Sequence, residues 1–245
     1  MKILLSTNMF PSLKNPQLGV FIKSHADIMC EKYQIKNIIC CENEMAKTLI
    51  QKILKYLKFF KKLILFSLFK KFDLIHAHFS FPTGFLTTFV KKITNKKMIL
   101  TVHGSDIQSD LFNNYLLFLL NKYTLHMCDT IICVSKKLKI QIINQYNIDE
   151  KKIHIIDMGF NDKIFFDYKK SNIKSTFNIT FIGRLIDIKG FDVLIKAINI
   201  LDNNIKCKVQ CKAYGDGNEK NKYLTMIKSY GLSKNVEIKG FAKQN

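Results

Sequence analysis

Short apolar runs alternate along this chain with longer segments of helical pattern, and this alternation limits the fold more than any other feature. In the first 160 residues the predicted strands are 2–6, 35–40, 72–77, 97–102, 130–134 and 153–156. The predicted helices include 21–32, 83–92, 111–126 and 136–146. Strands joined through helices run parallel and are covered by helices on both faces. The sequence therefore predicts the α/β class, with a doubly wound domain over residues 1–160.

A polar and charged segment at residues 161–176 is predicted to be a linker. Beyond it the predicted strands are 177–182, 205–214 and 236–238, and the predicted helices are 191–200 and 218–230. Three strands make about half of a doubly wound domain and leave a sheet edge open. We therefore expect residues 177–245 to be the first half of a second domain, and the chain to be a fragment or the product of a shortened gene.

The formal net charge of +20 indicates an anionic partner, which is a nucleic acid, a membrane surface or an anionic substrate. The richness in Lys, Asn and Ile is also typical of a compositional bias in the source genome. No nucleic-acid module motif occurs, and a cationic surface made of lysine lacks the arginine preferred for base readout. We expect no nucleic-acid partner.

Seven cysteines show no C-x-x-C pair and no spacing with histidine that is typical of zinc sites. Several lie in apolar runs, where a free cysteine behaves as a small hydrophobe. The chain also begins with a short strand rather than a secretory signal. These features predict reduced thiols in a cytoplasmic protein and no metal site.

Of the 39 lysine and arginine residues, one is arginine, Arg184. Its planar guanidinium binds phosphate or carboxylate oxygens in pairs, which an ammonium cannot do. It follows a predicted strand and Gly183, and Lys189 and Gly190 come shortly after it. Two cations and two glycines at a strand end are typical of a diphosphate site. The alternative interpretation is a surface ion pair.

Five segments carry a resemblance to a known family, in the family's order and with domain-sized spacing. The chain resembles the family-4 glycosyltransferases of the GT-B fold, which build bacterial lipopolysaccharide, capsule and glycolipids. The resemblance runs from residue 1 to about 241. The segments are the opening strand and loop ending in NPQLGVF at 15–21, DLIHAHF at 73–79, TVHGSD at 101–106, FIGRLIDIKG at 181–190, and YGDG at 214–217 with the helix and strand that follow.

The resemblance implies retaining transfer of a sugar from a UDP- or GDP-sugar donor to a glycan or lipid-linked acceptor, with no cofactor and no required metal. The donor would lie between two Rossmann-like domains, of which the second is incomplete here. Arg184 and Lys189 match the diphosphate-binding pair, and Gly19 matches the glycine that lets backbone N–H groups approach the phosphate. His103 matches the catalytic histidine, which contacts the transferred sugar or the phosphate.

Four further residues are candidates for the same cleft: His78, Asp106, Gly215 and Gly217. We expect His76 and His78 to face opposite sides of their strand, with His78 in the cleft. Asp106 either orients His103, binds a sugar hydroxyl or caps the following helix. The two glycines are equally well explained as a turn.

Three other histidines are expected to be ordinary surface or core residues. They are His25, His126 and His154.

The chain departs from the family pattern in two places. DMGF at 157–160 stands where the family usually has Asn-Gly. The family also carries two glutamates, seven residues apart, in a segment beyond residue 245. We therefore expect this chain to bind donor poorly. A non-catalytic remnant that docks on a membrane or on partner transferases, and a UDP-sugar epimerase on the same scaffold, stay open as alternatives.

Residues 47–72 hold eight lysines and no acidic residue, interleaved with leucine, isoleucine and phenylalanine. The lysines interrupt any apolar run long enough to span a bilayer. A basic amphipathic helix of this kind lies in the interface of an anionic membrane. The alternative is a crossover helix with a solvated lysine face. We expect a cytoplasmic protein held peripherally on the inner face of the cell membrane.

Overall fold

A computed structural model describes residues 1–13, 15–16, 18–43, 46, 48–108, 114–159 and 176–241. The chain divides into two compact units, Met1–Phe166 and Asp167–Asn245. Of the predicted linker at 161–176, only Thr176 lies within the described residues.

The first unit is built on a six-stranded sheet in the order β2-β1-β3-β4-β5-β6. Every neighbouring pair is parallel, as the alternation predicted. The strands are β1 (Lys2–Thr7), β2 (Lys36–Cys41), β3 (Leu74–His78), β4 (Lys97–Val102), β5 (Thr130–Cys133) and β6 (Ile153–Ile155).

The helices of the first unit are α1 (Val20–Tyr33), α2 (Leu49–Phe69), α3 (Phe85–Thr94), α4 (Ser105–Gln108), α5 (Tyr115–Met127) and α6 (Lys136–Tyr146). Helix α6 begins after Ser135, whose hydroxyl accepts the N–H of Leu138, as an N-cap does. The helix predicted at 83–92 starts two residues later, at Phe85, after the irregular segment Ser80–Gly84. The predicted start of α5, residues 111–113, lies outside the described residues.

The core of the first unit is packed from the strand interiors and the helices beside them. Leu4, Ile75, Leu100 and Ile131 come from four adjacent strands and are fully buried. Because a parallel sheet hides both faces, these strands read as continuous apolar runs rather than as alternating ones. This is the pattern that made them recognisable in the sequence.

The second unit has a three-stranded parallel sheet in the order β7-β8-β9. Its elements are β7 (Phe177–Ile182), α7 (Phe191–Asn199), α8 (Asn203–Lys206), β8 (Val209–Tyr214), α9 (Lys220–Ser229) and β9 (Val236–Gly240). The strand predicted at 205–214 begins four residues later in the structure. Residues 205–208 belong to α8 and the turn after it. Phe191 of α7 packs edge-on against Tyr223 of α9, with ring centroids 5.4 Å apart, so both helices cover one face. The other face exposes polar residues such as Lys212 and Glu237.

Helix α2 exposes an apolar stripe on the side away from its buried residues, Phe59 and Leu63. The exposed apolar residues of the helix are Leu49, Ile50, Ile53, Leu54, Leu57, Leu65, Leu68 and Phe69. Lys52, Lys58 and Lys61 are exposed on the same helix. Across the described part of the chain, no helix combines the length and apolar character needed to cross a membrane.

Asp129, the residue before β5, holds the start of β4 and the last turn of α3 by hydrogen bonds. Its carboxylate accepts hydrogen bonds from the ammonium of Lys91 (2.6 Å), the backbone N–H of Met98 (2.8 Å) and the ammonium of Lys97 (3.2 Å). Burial alone would raise the pKa of Asp129, but these hydrogen bonds outweigh it and lower the pKa to about 2.

We predict that Asp129→Asn lowers the free energy of unfolding by about 1–2 kcal/mol at pH 7. The stabilisation is present above the unfolded carboxyl pKa of about 4 and is lost as the pH falls toward 2, so the two proteins should converge there. Urea titrations between pH 7 and pH 2.5 measure this difference. Asp27→Asn, at an exposed ion pair on α1, is the control and should change little. A difference that persists undiminished at pH 2.5 would contradict the assignment.

Candidate functional site in two strand-end loops

The carboxyl ends of β3 and β4 bring two histidines together in the first unit. These strands are parallel neighbours, with His78 opposite Thr101, so the residue after β4, His103, lies beside His78. Nδ1 of His78 and Nε2 of His103 are 3.0 Å apart and share a hydrogen bond. Ligands of parallel α/β sheets bind beyond this edge, so the pair lies where a ligand is expected.

The His103 ring is half-buried and packed among aromatic side chains. Its centroid lies 4.6 Å from that of Phe79 and 5.0 Å from that of Phe21, which approaches edge-on from α1. Burial, with a smaller contribution from the charge of His25, lowers the pKa of His103 to about 4. The imidazole is therefore neutral at pH 7 and donates a hydrogen bond from one of its nitrogens only.

Asp106 holds the backbone of this loop rather than facing outward. Its carboxylate accepts the backbone N–H of Ser80 and that of His103, each at 2.9 Å. The side chain is buried, and burial raises the pKa of Asp106, while the backbone hydrogen bonds oppose the rise. Of the three roles that the sequence left open, the contacts favour orientation of His103.

His76 and His78 do not face opposite sides of β3, and the prediction that they do is wrong. Residues two apart along a strand share a face. Their rings stack with centroids 4.5 Å apart, and both side chains are buried at 4% and 3% exposure. His78 therefore lies behind His103 and contacts it, rather than opening to solvent.

His25 belongs to the same cluster, which the sequence analysis missed. Its ring lies 5.6 Å from that of His76 and 5.9 Å from that of His78, edge-on to both. The available signal was helical spacing, since His25 lies three residues beyond Ile22 and one before Ala26, both buried on the inward side of α1.

Phe79 also went unnoticed in the sequence. It has a φ of 70°, which is rare for a bulky side chain and is a form of strain found at functional sites.

Gly19 is the residue that begins α1, with a left-handed backbone at φ 68° and ψ 28°. A Cβ atom there would lie 2.6 Å from the carbonyl oxygen of Met9, in the loop after β1. The position therefore requires glycine, both for its φ and for the close approach of the two backbone segments. Lys14 and Gln17, in the same loop, lie outside the described residues.

In the second unit, Arg184 stands in the loop directly after β7 and is exposed. In the described part of the chain its guanidinium has no ion pair, so the surface ion pair considered from the sequence does not occur there. Lys189 ends a short 3-10 turn, Asp187–Lys189, and is also exposed. The neighbouring carboxylate of Asp187 is already bound to Lys222 at 2.8 Å. Both cations are therefore available to an anion.

Gly215 and Gly217 do more than form a turn, because their backbone packs directly against the loop that carries Arg184. A Cβ atom at Gly215 would lie 1.8 Å from the carbonyl oxygen of Gly183, and one at Gly217 would lie 2.2 Å from that of Leu185. Two hydrogen bonds join the same segments, from Gly183 N–H to the Tyr214 oxygen and from Leu185 N–H to the Asp216 oxygen, each 3.0 Å. The loop after β8 thus supports the loop after β7.

Comparison with known proteins follows the same division of the chain. The sequence profile described as Glycosyltransferase Family 4 matches residues 47–163, and that of Glycosyl transferases group 1 matches residues 163–245. An uncharacterized glycosyltransferase of Methanocaldococcus jannaschii is 32% identical over 171 residues, which is 69% of this chain and 43% of that protein. The capsular polysaccharide biosynthesis glycosyltransferase CapM of Staphylococcus aureus is 26% identical over 207 residues, covering 77% of this chain and 54% of CapM.

Among solved structures, Anabaena HepE in complex with UDP and glucose superimposes with a TM-score of 0.70 at 17% identity, over 100% of this chain and 70% of HepE. This likeness shows the fold, which is the GT-B fold of two Rossmann-like domains. The two sequence profiles and the relatives that match the sequence place the chain among the glycosyltransferases. Within that class, the chain belongs to family 4. It spans about half of the length of the curated relatives it matches.

We predict that Gly215→Ala destabilises the second unit by about 2–4 kcal/mol, because the new Cβ meets a carbonyl oxygen and φ is 149°. Hydrogen exchange of the amides in β7, β8 and their loops measures the loss of protection. Gly183→Ala is the matched control, since its Cβ would make an ordinary 3.6 Å contact with the Phe181 ring. Equal protection in the two variants would show that the two loops are not packed as described.

Proposed function

We propose that this protein transfers a sugar from a nucleotide-sugar donor to a cell-envelope glycan or a lipid-linked acceptor, with retention of configuration. The observation that carries the proposal is the exposed pair of cations, Arg184 and Lys189, on a loop supported by glycines in a chain of this family. The capsule role printed in the name of CapM supports a cell-envelope product.

The chemistry of sugar transfer explains why such a pair is useful. When the bond between sugar and phosphate breaks, negative charge develops on the departing nucleoside diphosphate. A guanidinium binds two phosphate oxygens at once, and an ammonium adds a second positive charge, so together they stabilise the leaving group without a divalent cation. We propose UDP as the nucleotide, because HepE has been crystallised with UDP and with UDP-glucose.

His103 would contact the transferred sugar or its phosphate. Its neutral imidazole donates one hydrogen bond without placing a positive charge beside the breaking bond. Asp106 fixes the backbone on which the ring stands, and Phe21 and Phe79 limit its rotation. Nε2 of His103 is hydrogen-bonded to His78, so Nδ1 of His103 would be the nitrogen that binds a substrate.

We predict that Arg184→Lys weakens UDP binding about tenfold, or about 1.4 kcal/mol, because the charge is kept but the paired phosphate contact is lost. Isothermal titration of the chain with UDP measures this. Lys189→Ala should weaken binding similarly, whereas Lys228→Ala, which removes the same charge from an exposed position on α9, should not. If UDP binds equally to all four proteins, the diphosphate site lies elsewhere.

We further propose that α2 lies on an anionic membrane surface and so holds the enzyme near a lipid-linked acceptor. Its exposed apolar residues recur at spacings of three and four, as in Ile50, Leu54 and Leu57, and lysines stand beside and between them. Apolar side chains enter the boundary between headgroups and acyl chains, while lysines bind anionic headgroups. A crossover helix that faced only water would not need these apolar residues.

We predict that changing Lys52, Lys58 and Lys61 together to Glu releases the protein from vesicles that contain anionic phospholipid. Each lysine near such a surface contributes about 1 kcal/mol, so reversing three charges removes the attraction. Lys62 is left unchanged because its ammonium donates to the Cys41 carbonyl at 2.8 Å. Vesicle co-sedimentation measures binding, and a control changes Lys136, Lys137 and Lys151, all exposed elsewhere on the same unit, to Glu. Equal release of the two triple variants would indicate net charge alone, and no release would refute the membrane surface.

A further inference from the structure

Three histidines in the first unit converge on one point from two different elements. His25 comes from α1, and His76 and His78 come from β3. One ring nitrogen from each lies within 4.8 Å of the other two, among the residues whose placement is described. The site lies beneath the sheet edge that carries His103, and it is distinct from the cations proposed to bind the donor diphosphate.

Two of these rings have a buried nitrogen without a hydrogen-bond partner in the described part of the chain. Nδ1 of His25 and Nε2 of His78 are buried and have no hydrogen-bond partner among the described residues. Buried polar atoms are almost always paired, because an unpaired one loses its hydration without compensation. A ligand that reached both atoms would satisfy them.

His76 and His78, the two histidines of β3, each have one ring nitrogen hydrogen-bonded to a neighbouring side chain. Nε2 of His76 is 2.8 Å from the Thr101 hydroxyl, and Nδ1 of His78 is 3.0 Å from Nε2 of His103. Histidines that bind metals commonly have their second nitrogen engaged in this way, which sets the tautomer and the ring orientation. In both residues one ring nitrogen therefore makes a hydrogen bond, and the other is the nitrogen that would bind a metal.

We propose that His25, His76 and His78 form a site for a divalent transition metal, with Zn²⁺ as the expected ion. Three imidazoles with an open fourth position for water is an established zinc arrangement. Zinc–nitrogen bonds of about 2.0–2.1 Å require the three nitrogens to lie about 3.4 Å apart, so the side chains would have to rotate when the ion binds.

The bound ion would join α1 to β3. With the metal on Nε2 of His78, the Nδ1 proton of His78 is donated to Nε2 of His103, so the proton of neutral His103 resides on its Nδ1. The ion acts on the position and tautomer of His103 and takes no part in binding the donor diphosphate.

The test uses the purified 245-residue chain, stripped with a chelator and then dialysed against Zn²⁺. We expect one ion per chain by elemental analysis and a melting temperature raised by a few degrees in excess Zn²⁺. His25→Gln should weaken Zn²⁺ binding at least about 100-fold, since loss of an outer partner alone weakens it about 10–100-fold. His154→Gln removes an exposed histidine outside the cluster and should bind like the unaltered chain.

A rescue variant separates loss of a ligand from loss of folding. His25→Cys supplies a thiolate in place of the imidazole, and with Co²⁺ it should show a thiolate-to-cobalt charge-transfer band that the unaltered chain lacks. Absence of Zn²⁺ binding by the unaltered chain overturns the proposal. Undiminished binding by His25→Gln, or a His25→Cys protein that binds Co²⁺ without that band, also overturns it. UDP titration of the same samples reports on the donor site independently.

Discussion

The parallel pairing of β3 with β4 is the constraint on which the site of the first unit depends. Parallel strands end at the same edge of a sheet, and the register places His78 opposite Thr101. Residues 25 positions apart in the chain, His78 and His103, are thereby brought to within hydrogen-bond distance. Asp106 then ties the loop after β4 to the segment after β3 through Ser80. A shift of one residue in this register would turn every one of these side chains to the other face.

In the second unit the candidate site also lies beyond the carboxyl ends of parallel strands, but backbone contacts rather than side chains support it. Gly215 and Gly217 allow one strand-end loop to lie against another without side chains between them. The ammonium of Lys222 binds the carboxylate of Asp187 at 2.8 Å, so this carboxylate already has a cationic partner. The result is an exposed guanidinium on a loop that the backbone of a second loop supports.

Most of the strands and helices could be predicted from local sequence patterns. The apolar runs that became β1, β4 and β5 were recognisable because a strand buried on both faces is largely apolar. Ser135 was recognisable as a helix cap because its side chain acts on residues three positions away. The start of β8 was misplaced because α8 comes just before it, and a four-residue helix carries too little periodicity to detect.

Local patterns and residue types were enough to predict the class of fold, the family and the candidate cations Arg184 and Lys189. These follow from local patterns and from residue types that no other residue replaces. Three further facts come from packing: His25 joins His76 and His78, the Asp106 carboxylate accepts from backbone N–H groups, and α2 exposes apolar residues. Those facts depend on strand register and on the rotation of each helix about its axis. Both are set by packing between residues far apart in the chain, which no local pattern records.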